Sequence, residues 1–228
     1  TSRQLARVLR ARAGEQIVLL DDTGWEYLVT LTQVTPDSTT GDVVERRPSA
    51  GEPGIRISLY QALLKADRFE FVLQKGTELG VRDFVPVVCD RSVPRPRGGP
   101  SSGRLARWRR IVTEAAEQSR RGRIPVVTEP VPYEEAITGV DGPALIPWEE
   151  EESMGLRTTL RRIGPGSAGG MRLSIFVGPE GGLTRAEIDG ARDRGITPVS
   201  LGRRILRAET AGLATVSAAL YELGELGG

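Results

Sequence analysis

From Ile55 onward, short apolar runs alternate with longer stretches of helical period, and this alternation most narrows what the chain can fold into. Ile55, Ile57 and Leu59 alternate as a strand. A helix is expected from Asp67, where Asp67-Arg68-Phe69-Glu70 has the form of a capping box, to Gly80, a natural C-terminal stop. Residues 84–88 form the next strand. The next helix spans 104–120, with Leu105, Trp108, Ile111, Val112, Ala115 and Ser119 on one face and most of its arginines on the other. Short apolar strands follow at 124–127, 144–146 and 173–177. Thr184-Arg185-Ala186-Glu187 opens a helix that stops at Gly195, and residues 198–201 are a last strand. Leu213, Val216, Leu220 and Leu223 line one stripe of a final helix. Strands alternating with helices predict an α/β domain with a mainly parallel sheet over 55–228.

The residues before this alternation read differently. Residues 16–20 are a short apolar run, Asp21-Asp22-Thr23-Gly24 signals a turn, residues 25–35 alternate loosely, and residues 36–41 turn again into Val43-Val44. Several short strands closed by Gly and Asp turns predict a small β-barrel over 1–48. Residues 49–54, rich in Pro, Gly and Ser, predict a linker, and a mobile loop is expected over 94–103.

Composition excludes several chemistries. The 228 residues contain no His and one Cys, Cys89, which removes Ser-His-Asp and Cys-His hydrolases, an internal disulfide and a Cys-based zinc site. No apolar run approaches the roughly 18–20 residues that cross a bilayer, and no charged-then-apolar leader opens the chain at Thr1. A cytoplasmic protein without membrane contact is expected. The net charge of +1 conceals a local asymmetry: residues 91–123 hold ten arginines against two acids, Glu114 and Glu117. The arginine fork suits phosphates and base edges, so Arg91, Arg104, Arg107, Arg110, Arg121 and Arg123 are candidate nucleic-acid contacts. Solvated charge on a helix in an arginine-rich protein is the alternative.

Two glycine-bearing loops in the last third follow apolar strands. Val177-Gly178-Pro179-Glu180-Gly181-Gly182 leaves the strand at 173–177, and the carboxyl end of a parallel strand is where open α/β sheets bind ligands. Glycine lets the backbone approach a ligand and leaves its N–H and C=O groups free to read it; a tight strand-to-helix turn accounts for the same residues. The spacing is neither G-x-G-x-x-G nor G-x-x-x-x-G-K-S/T, so a nucleotide-phosphate reading is weak. The second loop, Leu201-Gly202-Arg203-Arg204-Ile205-Leu206-Arg207-Ala208-Glu209-Thr210-Ala211, runs from the last strand into the last helix. Apolar residues interrupted by charges suit a loop with some side chains inside and others presented to a site, while an Arg207–Glu209 ion pair at the helix start is the plainer alternative.

Together, Val177-Gly178-Pro179-Glu180-Gly181-Gly182-Leu183-Thr184 and the stretch from Leu201 to Ala211 resemble the trefoil-knotted (SPOUT) methyltransferases. More narrowly, they resemble the RsmE family of 16S ribosomal RNA uridine-N3 methyltransferases. Val8-Leu9-Arg10, Gln74-Lys75-Gly76-Thr77-Glu78-Leu79-Gly80, and Glu117-Gln118-Ser119 with Arg121 and Arg123 match in the family's order, so the likeness covers nearly the whole chain. The resemblance implies an N-terminal PUA-like β-barrel for RNA and a C-terminal domain whose chain end threads a loop to form a knot. It implies S-adenosyl-L-methionine cradled by three loops, matching Leu145, Ile146 and Pro147, then Val177 to Gly182, then Leu201, Gly202, Ile205, Leu206, Thr210 and Ala211. A homodimer, Arg10 among the RNA contacts, and 16S rRNA in the assembled small ribosomal subunit as substrate are implied too. The family carries a longer N-terminus, often with histidine near its Val-Leu-Arg, so the barrel here is expected to lack a strand or be truncated. Trp148 stands where relatives often have His, which leaves the contacts of that loop open.

Methyl transfer from a sulfonium needs no metal, but it needs an aligned, nucleophilic acceptor. The proton on uridine N3 must leave, and without histidine a carboxylate, a water or the RNA itself must take it. Glu209 is the first candidate base and Glu180 the second, with Arg207 to stabilise charge developing on the uracil carbonyl oxygens. The alternatives are a knotted methyltransferase acting on another ribosomal or transfer-RNA nucleotide, and a non-catalytic RNA-binding ribosome-assembly factor. The last leaves the glycine loops unexplained.

Overall fold

Residues 2–93, 102–164 and 170–227 are described in a computed structural model. The chain divides into two units, Thr1–Glu52 with Arg120–Ile124, and Pro53–Ser119 with Pro125–Gly228. In the first, β1 (Gln16–Leu20), β2 (Trp25–Val34) and β3 (Thr39–Pro48) form an antiparallel meander with β2 in the middle. Val29 and Leu31 of β2 are buried two residues apart, the period of a strand with one covered face. Among the described residues β1 and β3 do not pair, so the sheet stays open where a barrel over 1–48 was expected. Three strands are too few to close around an interior.

The first unit also recruits a segment that the sequence reading assigned to the second. Arg121 is 3% exposed, and its Nε and Nη2 donate to the two Glu52 carboxylate oxygens at 3.1 and 3.0 Å. The backbone N–H of Arg123 donates to Glu52, that of Ile124 to Asp22, and that of Gly24 to the Gly122 carbonyl. Residues 49–54 are therefore no free linker: Ser49 is buried, Glu52 anchors Arg121, and the Gly54 N–H donates to Glu225 within the second unit. Arg121 is withdrawn from the candidate RNA contacts, because its charge is already neutralised inside the unit.

In the second unit β4 (Arg56–Ala62) starts the sheet near its centre. Helix α1 (Ala66–Leu79) begins at Ala66 with Lys65 as its N-cap, so Asp67 lies inside the first turn. There its charge serves the helix dipole instead of capping, and Glu70 pairs with Arg107. Gly80 ends the helix at φ +104°, a conformation glycine adopts without strain. Then come β5 (Asp83–Val88), α2 (Ser102–Gln118), β6 (Val126–Val127), β7 (Val131–Pro132) and α3 (Tyr133–Thr138). The expected loop at 94–103 lies outside the described residues up to 101, and Ser102 and Gly103 already belong to α2. The chain continues through β8 (Ala144–Pro147), α4 (Leu156–Ile163), β9 (Arg172–Val177), α5 (Arg185–Arg192), β10 (Thr197–Val199) and α6 (Ala208–Glu222).

All pairings in this sheet are parallel, in the order β10-β8-β9-β4-β5-β6, with β7 also on β5. The mainly parallel α/β sheet expected from the alternation is present. One face packs Ala62, Val87, Ile146 and Phe176 against Tyr133, Ile137, Ile188 and Ala191 of α3 and α5. Elsewhere α1 packs on α2 and α6, and the Phe69 and Trp108 rings meet at 4.6 Å. Each fully buried Val, Ile or Phe among them contributes roughly 1.5–3 kcal/mol. The capping box at Thr184 is present, with Thr184 Oγ accepting from Glu187 N and the Glu187 carboxylate accepting from Thr184 N. The buried stripe of α6 runs through Gly212, Thr215, Val216, Ala219 and Leu220, leaving Leu213 only half-buried.

Candidate active site

Because β10, β8 and β9 are adjacent and parallel, their carboxyl ends deliver three loops to one place. Pro147 and Trp148 follow β8, residues 178–182 follow β9, and residues 200–207 follow β10. Together they line a cleft of about 970 Å³. The fourth strand in line, β4, sends Arg68 to the same cleft from the first turn of α1. The exit of β10 is fixed against the 148–155 segment: Trp148 N donates to Val199 O, Ser200 N to Met154 O, and Leu156 N to Ser200 O, with Gly155 and Ser200 bridged in parallel.

Of the residues expected to hold a cofactor, Pro147, Val177, Gly178, Pro179, Glu180, Gly182, Leu201, Gly202, Ile205, Leu206 and Ala211 line the cleft, as does Arg207. Leu145 and Ile146 do not: in the interior of β8, between β10 and β9, both are completely buried in the core. Gly181 stands just behind the lining, its carbonyl accepting from Arg91 Nη1 at 3.0 Å. Thr210 is exposed on the first turn of α6, outside the lining.

The loop after β9 is braced on every side. Gly182 turns at φ +71° and donates to the Pro179 carbonyl, and a Cβ at Gly178 would lie 2.8 Å from Leu183 Cγ. The loop after β10 is open. Gly202 turns at φ +100° with its N–H on Ser200 Oγ, and Arg203, Arg204 and Arg207 are exposed.

Charge divides the cleft. Glu149, Glu151 and Glu152 line the side next to Trp148. Glu150 pairs with Arg185 and Glu151 with Arg192, and both arginines lie over the Trp148 ring. Hydrogen bonds from the Ser153 hydroxyl, the Met154 and Ser153 backbones, and the nearby Arg192 charge outweigh desolvation and lower the Glu151 pKa. Arg68 faces both candidate bases, 3.4 Å from Glu180 Oε1 and 3.7 Å from Glu209 Oε1. Glu209 thus pairs with Arg68, not with Arg207 as the plainer reading had it. Its side chain is 14% exposed, and Oε2 is buried without a hydrogen-bond partner. The Trp148 indole N–H is likewise buried and unpartnered. Arg68 and Trp148 are the site residues the sequence reading did not assign; Arg68 stood inside the expected helix start, where nothing local marks it.

The arginines of 91–123 scatter into separate roles. Arg91 braces Gly181, Arg107 pairs with Glu70, Arg110 with Glu114, and Arg121 is buried on Glu52. Arg104 is exposed on α2, Arg123 is half-buried in the first unit, and Arg10 is exposed at φ +52°.

Residues 51–220 match the family model described as an RNA methyltransferase domain, the class that this sheet and cleft define. The ribosomal RNA small subunit methyltransferase E of Bacillus subtilis strain 168 is 32% identical over 220 residues, 96% of this chain and 86% of that protein. Its counterpart in Synechocystis (strain PCC 6803) is 35% identical over 214 residues, 91% of this chain and 66% of that protein. The crystal structure of ribosomal RNA small subunit methyltransferase E from Neisseria gonorrhoeae bound to S-adenosyl methionine is 32% identical. It aligns with a TM-score of 0.81 over 96% of this chain and 88% of that one. The chain belongs to the ribosomal RNA small subunit methyltransferase E family.

Proposed function

We propose that the chain methylates N3 of one uridine in 16S rRNA, within the small ribosomal subunit, using S-adenosyl-L-methionine and acting as a cytoplasmic homodimer. The observation that carries this reading is the convergence of the two glycine-bearing loops on one cleft. Its residues fit that cofactor. The volume lies in the range of small-molecule sites, the acidic side suits a donor bearing sulfonium and ammonium charges, and the orphaned Trp148 N–H offers a buried donor. Pro147, Val177, Gly178, Gly182, Leu201, Gly202 and Leu206 would hold it, with Gly181 kept in place by Arg91. When bound, the cofactor supplies an electrophilic methyl group.

The chain's own groups prepare the acceptor. Glu209 is the proposed acceptor of the N3 proton: Arg68 holds its Oε1, while its Oε2, buried without a partner just outside the cleft lining, must come into contact with the base for the transfer. Arg207, free of any carboxylate among the described residues, stabilises charge developing on the uracil carbonyl oxygens. Glu180, on the same arginine, is the second candidate. We also infer that the chain is knotted: it leaves the edge strand β10, yet α6 packs inward against β9 and β4. The β1–β3 sheet belongs to a PUA-like RNA-binding module on this reading. Radiolabelled methyl transfer to small subunits from a strain lacking the enzyme, followed by nucleoside identification, tests the assignment. N3-methyluridine in 16S rRNA is expected; label in any other nucleoside overturns it.

A further inference from the structure

The loop after β10 carries an apolar side chain with no place in the folded chain. Ile205 lines the cleft yet is 87% exposed, next in the chain to the half-buried Leu206. Arg203, Arg204 and Arg207 flank it along the chain, all exposed and, among the described residues, none paired with a carboxylate. Exposed arginines elsewhere in this unit commonly have acidic partners: Arg161 has Glu222, Arg172 has Asp141 and Arg185 has Glu150. Unneutralised cations around an apolar tip match a partner that is anionic outside and apolar within, as a stacked nucleic-acid strand is.

Resting on the reading that RNA is the substrate, we propose that Ile205 is a wedge that enters the gap left in the base stack by the extruded nucleotide, while Arg203 and Arg204 hold the flanking phosphates. Chemistry on a base requires taking it out of the stack, and apolar side chains such as Ile and Leu pry apart base steps in other nucleic-acid complexes. Spacing supports the assignment. Ile205 and Arg207 are two positions apart, with Leu206 between them, at most about 7 Å of extended chain, or about two base spacings of 3.4 Å. A nucleotide displaced by Ile205 therefore lies within reach of Arg207 and the cleft. Gly202, at φ +100°, sets the direction in which the tip leaves β10.

The test uses the full chain, S-adenosyl-L-methionine and small subunits from a strain lacking the enzyme. Ile205→Ala should slow single-turnover methylation about tenfold, with cofactor affinity and oligomeric state unaltered, and Ile205→Met should restore most of the rate. Arg203→Ala with Arg204→Ala should weaken subunit binding and reduce the slope of log K against log salt by about 1.5–2, the signature of two phosphates. An Ile205→Ala variant that methylates at the full rate overturns the wedge and leaves the methyltransferase reading standing. So does one that loses cofactor, which makes Ile205 a cofactor contact, or one that changes oligomeric state, which makes it an interface between copies. A native chain that methylates nothing overturns both.

Discussion

The two glycine-bearing loops leave neighbouring parts of one sheet and face one cleft, yet they are built in opposite ways. The loop at 178–182 spends its groups on the protein: Gly182 on Pro179, Gly181 on Arg91, Gly178 against Leu183, Glu180 on Arg68. The loop at 200–207 is anchored at its two ends, through Ser200 and the Arg207 carbonyl, and between them offers exposed arginines and an exposed Ile205. A small ligand of fixed shape is best held by a rigid cradle, because little freedom is lost on binding. A large, variable polymer is better met by an arm whose groups have no prior partners. The same residue type, glycine, therefore marks two different tasks.

Four substitutions break or sharpen this contrast. Glu209→Gln, in the helix start after the open loop, should reduce kcat by about 10²–10³ while cofactor affinity from calorimetry stays within about twofold; an equal loss of affinity would place Glu209 in the cradle instead. Gly178→Val should push the braced loop away from Leu183, and overpacking of about 1–3 kcal/mol should appear as a fall in cofactor affinity of roughly 5- to 150-fold. Arg91→Ala removes one brace, at an exposed position, and should weaken cofactor binding about threefold without altering the salt dependence of RNA binding. A changed salt slope would return Arg91 to the RNA surface. Gly202→Ala places a side chain at φ +100° and should lower stability by about 1 kcal/mol, visible as a drop in Tm of roughly 2–4 °C.

The sheet and most of its helices were legible because period and punctuation agree locally: Thr184 and Glu187 form the box their spacing announces, and Gly80 ends α1. The two main loops were legible because they follow apolar strands. Misreadings arose where long-range pairing decides. Ile146 looks like part of a loop motif, but two flanking strands bury it; Asp67 looks like a cap, but the helix starts one residue earlier. Arg121 looks like surface charge until Glu52, 69 positions away, is seen to hold it. Arg68 meets Glu180 and Glu209 only because β4 lies beside β9, a neighbourhood that no local pattern encodes.

The recruitment of Arg120–Ile124 into the first unit sets an order of events during synthesis. When Glu52 emerges from the ribosome its guanidinium partner does not yet exist, and the chain must lengthen to residue 124 before that unit has all its parts. At roughly 5–20 residues per second, the amino-terminal portion waits several seconds for its own completion while β4 and α1 are already available to fold. The part of the molecule made first thus cannot mature as it emerges, although the second unit, which needs β9 and α6, is completed later still; a fragment ending at Glu52 should lack the buried Glu52–Arg121 pair that completes the first unit.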